Sequence, residues 1–112
     1  MLAPDLTPKI LRAVDDGFDA QIAFTAELTR IPSLRFEEAP AQDLLATEMR
    51  RRGLDVDRWK VNVEDIAHLP GFSPVAVSYE NAFNVVGTHR PRKATGRSLI
   101  LNGHIDVVPT GP

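Results

Sequence analysis

Apolar positions near the start of the chain recur every three or four residues, which lays Leu11, Val14, Phe18, Ile22 and Thr25 along one face of a helix. Thr7 is placed to cap that helix, and Pro8 suits its first position, where an N–H would have no partner. Gly17 falls inside the pattern and allows a break, with a second helix from Phe18 to about Arg30. Pro32 ends the helical run, because the residue before a proline is pushed out of the α region. A further helix is expected to begin between Glu37 and Pro40 and to stop at Gly53. Its stripe is Ala41, Leu44, Leu45, Glu48 and Met49, with acids at its positive end and Arg50, Arg51 and Arg52 at its negative end.

Beyond Gly53 the period changes to two. Leu54, Val56 and Arg58 alternate with Asp55 and Asp57, as in a half-exposed strand running to about Val61. Asn62 can cap a short helical turn that Pro70-Gly71 ends, and the stretch from Phe72 to Glu80 carries no clear period. AFNVVGT at 82–88 and RSLILN at 97–102 read as two more strands, joined by the basic loop HRPRKATG. Leu99, Ile100 and Leu101 are apolar on both faces, the pattern of a central strand covered on both sides. Helices followed by strands give an α/β fold class, with helices covering a mixed sheet.

Composition narrows the function classes. The chain has 112 residues, a formal net charge of -2 and no cysteine, so disulfides and thiolate metal sites are excluded. His89, Arg90, Arg92 and Lys93 make a small basic cluster, which fits a solvated loop. Nucleic acid is not expected as a partner, since only 6% of residues are aromatic and the charge is slightly acidic. No apolar run is long enough for a bilayer, and MLAPDLTPKILRAVDD lacks a basic region followed by an apolar one. No membrane partner is therefore expected, and the cytoplasm is the expected location.

The chemistry gathers in LILNGHIDVVP at 99–109. If the chain stays extended there, His104 and Asp106 point to one side and Ile105 and Val107 to the other. Ligands of open α/β sheets collect at the carboxyl ends of strands, and these polar groups follow such a run. Two chemistries fit the pair. His104 could bind a metal while Asp106 holds its other ring nitrogen, or His104 could act as a general base oriented by Asp106. The second needs a nucleophile; there is no cysteine, and no serine stands in a nucleophile-elbow pattern. Metal is the preferred reading. A catalytic zinc generally takes three protein ligands, and the other imidazoles, His68 and His89, fall in expected loops.

NGHIDVVP at 102–109, after its apolar run, resembles the first metal-binding motif of the M20 family of zinc metallopeptidases and deacylases. That family includes acetylornithine deacetylase, succinyl-diaminopimelate desuccinylase, aminoacylase and glutamate carboxypeptidase. The likeness continues upstream in ELTRIPSLRFEE at 27–38, RRRGLDVDRW at 50–59 and NVVGT at 84–88, in the family's order. It implies part of a zinc-peptidase catalytic domain with two zinc ions, cobalt being an alternative metal. His104 would then be a metal ligand and Asp106 the catalytic-site carboxylate that orients it. The substrate class so implied is a small N-acyl amino acid or peptide cleaved at its amide bond.

The family's bridging aspartate, glutamate base, other ligands and lid or dimerisation domain lie downstream of this motif, and nothing here matches them. Glu37 and Glu38 belong to a helix start and are not substitutes. The expectation is thus an N-terminal portion, residues 1–112, of a catalytic domain, inactive alone. A second copy, as in a homo-oligomer, or later sequence is expected to cover the 99–101 run. The rival expectation is a non-catalytic α/β binding or assembly module that retains the first motif.

Overall fold

The computed structural model describes residues 6–74, 78–93 and 95–111. The chain divides into two compact units, Met1–Ile31 and Pro32–Pro112.

The first unit carries α1, Leu6–Thr29, an unbroken helix of 24 residues. Thr7 therefore lies inside the helix rather than capping it, and Pro8 sits in the first turn, where its missing N–H costs no bond. The break allowed at Gly17 does not occur. The expected stripe is present, but no residue of α1 is buried, and Leu11, Val14, Phe18 and Ile22 are each exposed. A Cβ built on Gly17 meets nothing within 4 Å. Gly17→Ala should therefore stabilise α1 by about 0.5–1 kcal/mol, by reducing the entropy lost on helix formation. A rise in the thermal midpoint followed at 222 nm checks this; no rise would show that α1 is not helical where Gly17 lies.

The second unit begins with a tight turn and α2, Ala39–Arg51. Pro40 occupies the first turn, and Ala41 and Ala46 are buried where the helix meets the sheet. The C-terminus closes as the sequence foretells. Gly53 takes φ 78, its N–H bonds the carbonyl of Arg50 at 2.9 Å, and the Leu54 N–H bonds that of Met49 at 3.0 Å. This is the paired closure that a left-handed glycine allows. Arg51 also clasps Glu48 at 2.7 Å, and its hydrogen bond draws the Glu48 carboxyl below its ordinary range.

Two strands follow, β1 at Asp55–Lys60 and β2 at Phe83–Thr88, paired antiparallel with Val56 opposite Gly87 and Lys60 opposite Phe83. Between them α3, Val63–Ile66, is capped by Asn62, whose side chain accepts from the Glu64 N–H. One face of the ribbon carries Val56, Arg58, Lys60, Phe83, Val85 and Gly87. Arg58 lies 3.6 Å over the Phe83 ring and reaches Asp43 of α2 at 2.7 Å, so its alkyl stem packs while its charge is paired.

Gly87 is required by packing rather than by its backbone angles. A Cβ there would stand 2.8 Å from Leu54 Cδ1 and 2.8 Å from Met49 Sδ. Gly87→Val should cost about 1–3 kcal/mol through forced repacking of the α2–sheet contact. A urea midpoint unchanged from wild type would mean that α2 does not lie on this face.

The α/β content expected from the sequence is present, as helices and a small two-stranded antiparallel sheet. The third strand is not. RSLILN at 97–102 has no ladder partner among the described residues, and Leu99, Ile100 and Leu101 are 81%, 88% and 87% exposed. The central position expected for this run is therefore corrected. Apolar composition marks a segment for burial, but a strand forms only beside another that takes up its N–H and C=O groups. Within the stretch from Phe72 to Glu80, residues 75–77 lie outside the described residues. Among the described residues no helix is long and apolar enough to cross a membrane.

Candidate functional site

His104 stands on a segment without helix or strand, three residues past the exposed apolar run. Two residues on, Asp106 turns back to it. The imidazole Nδ1 lies 2.9 Å from the Asp106 backbone carbonyl oxygen and 3.1 Å from its carboxylate Oδ1. A backbone carbonyl oxygen only accepts, so Nδ1–H is the donor and the neutral ring takes the Nδ1–H tautomer. The Nε2 lone pair is left without a hydrogen bond among the described residues. The side chain of His104 is 85% exposed and that of Asp106 40% exposed, so this lone pair belongs to an accessible ring. The two residues expected to act together are thus in contact.

The segment is tied to the rest of its unit just after Asp106. The Val107 N–H donates to the Ser33 carbonyl at 2.8 Å, and Leu34 and Val107 form an isolated parallel bridge. Ser33 is one of the few buried residues among those described. The turn that follows it is held closely. The Glu37 N–H donates to the Leu34 carbonyl at 2.8 Å, and the Phe36 N–H donates to Glu38 Oε1 at 2.9 Å. Phe36 takes φ 78, a left-handed conformation that costs an ordinary residue about 1–2 kcal/mol. Sequence reading treats ELTRIPSLRFEE only as the approach to a helix and misses this tie. The available signal is the polar Ser33 beside Pro32, where a backbone group is freed from helix.

His68 follows α3 and His89 follows β2, both exposed. Neither joins His104: no group of three or more His, Cys, Asp or Glu side chains able to hold a metal occurs among the described residues. Glu37 and Glu38 stand at the start of α2, as the sequence implies. His104 therefore fits one donor position of a metal site, with Asp106 as its orienting carboxylate, and the described residues do not complete one. Comparison with protein-family models, with curated proteins and with solved structures finds no match to this chain.

Proposed function

We propose that this chain supplies one metal-ligating imidazole, His104, to a zinc-dependent hydrolase of amide bonds in small N-acyl amino acids or peptides. One observation carries the reading: Nδ1–H is held by both the carbonyl and the carboxylate of Asp106. A ligating histidine needs this arrangement, because it fixes the neutral tautomer and raises the basicity of the other nitrogen. Zinc, when bound, would polarise the substrate carbonyl and lower the pKa of an attacking water. The remaining donors come from outside the described residues, since one imidazole does not make a catalytic site. The resemblance of NGHIDVVP to the first motif of the M20 enzymes supports the same assignment, and with it the substrate class.

The test is a zinc titration followed at the imidazole nitrogens by NMR. His104 Nε2 should shift first and selectively, ahead of His68 and His89. Equal response of all three rings, or none at His104, would overturn the assignment. The rival reading, a non-catalytic assembly module, draws on the exposed run Leu99–Leu101 and predicts no selective response at His104.

A further inference from the structure

We propose that the turn at Ser33–Glu38 positions the His104 imidazole, with Glu38 as the positioning residue. This deepens the reading above and rests on His104 being the functional imidazole.

The hydrogen bonds from His104 to Asp106 are local and lie at an exposed ring, where water competes for both oxygens. Alone, two residues of extended chain in solvent do not keep such a contact. What fixes the backbone there is the Val107 N–H on the Ser33 carbonyl, with the Leu34–Val107 bridge beside it. Ser33 is a firm anchor because it is 5% exposed. Leu34 is held in turn by the Glu37 N–H, in a turn that sets Phe36 in the left-handed region. An aromatic residue stays there only when its surroundings over-determine it. The Phe36 N–H donates to Glu38 Oε1, and the other oxygen of that carboxylate is buried, so the Glu38 side chain is anchored where the His104 ring is not. Ser33 Oγ and Glu38 Oε2 are both buried without a hydrogen-bond partner, at the two ends of a turn whose middle residues, Arg35, Phe36 and Glu37, are exposed. The line of contacts therefore runs from the start of α2 through Glu38, Phe36, Leu34 and Val107 to Asp106 and the ring.

The experiment reads the His104 tautomer in the metal-free chain, in mildly alkaline buffer, from its side-chain 15N shifts. The wild-type ring should be mostly Nδ1–H. Glu38→Ala should lower the Nδ1–H to Nε2–H ratio several-fold, toward that of a free imidazole. Glu38→Gln should restore it, because an amide oxygen can replace Oε1 on the Phe36 N–H. Val107→Pro, which deletes the donor to Ser33 outside every helix and strand, should reproduce the loss even if Glu38→Ala fails to fold. A ratio unmoved in Val107→Pro, or in a folded Glu38→Ala, overturns the proposal, as does failure of a folded Glu38→Gln to restore it. Zinc separates this outcome from the metal reading. Tautomer changes with no zinc shift at Nε2 would keep the positioning role and remove the metal one.

Discussion

His104→Ala should lower zinc retention by a hydrolase that joins this chain to the remaining donors, by on the order of ten- to a hundredfold or more. The argument is one of donors. The tautomer set by Asp106 presents a single sp² lone pair, and alanine removes it along with the ring. Asp106→Ala should cost less, nearer about tenfold, because the backbone carbonyl at 2.9 Å survives the substitution and still accepts from Nδ1–H. His68→Ala and His89→Ala should leave retention unchanged, since no carbonyl or carboxylate orients either ring among the described residues as Asp106 orients His104. Equilibrium dialysis against zinc, read as bound metal per chain, ranks the four variants. A ranking in which His89→Ala equals His104→Ala would place the affinity in non-specific surface binding. In a hydrolase carrying the remaining donors, the same order should appear in the chelator-sensitive rate of amide cleavage.

Elements governed by their own residues were legible from the chain. Gly53 stops α2 because only a glycine takes φ 78 without strain, and that property travels with the residue. Asn62 caps α3 by a bond to a neighbour two positions away. That His104 and Asp106 lie near each other belongs to the same kind, since they stand two positions apart, whereas the tie at Val107 that fixes the backbone beside them is not local. Features that join distant positions were not legible. Nothing at Ser33 or Leu34 indicates that Val107 will pair with them, more than seventy residues further on. The Thr7 cap was misplaced because serine, threonine and their kin signal the neighbourhood of a helix start more sharply than the start itself. Leu99–Leu101 failed for another reason. Its pattern specifies two covered faces, yet coverage is a property of the neighbours, and none of the described residues supplies it.

That unmet requirement gives the second large effect. The isolated chain should self-associate as concentration rises, through Leu99, Ile100 and Leu101, and lysine in this run should suppress it. Each of these side chains is more than four-fifths exposed, and burying one contributes about 1.5–3 kcal/mol. The run carries no charge or proline to discourage edge-to-edge pairing. Its substitution should leave the fold intact, because the run has no ladder partner among the described residues, and far-ultraviolet circular dichroism should not change. The choice of position then reveals what kind of strand it becomes. Leu99 and Leu101 share one face of an extended chain and Ile100 takes the other. If association buries the run on both sides, as its sequence pattern requires, Ile100→Lys and Leu101→Lys should restore concentration-independent light scattering equally. If it docks by one face, only one of the two will do so. Wild-type scattering that stays flat with concentration, without binding of a hydrophobic dye, would show that the exposed run drives no association.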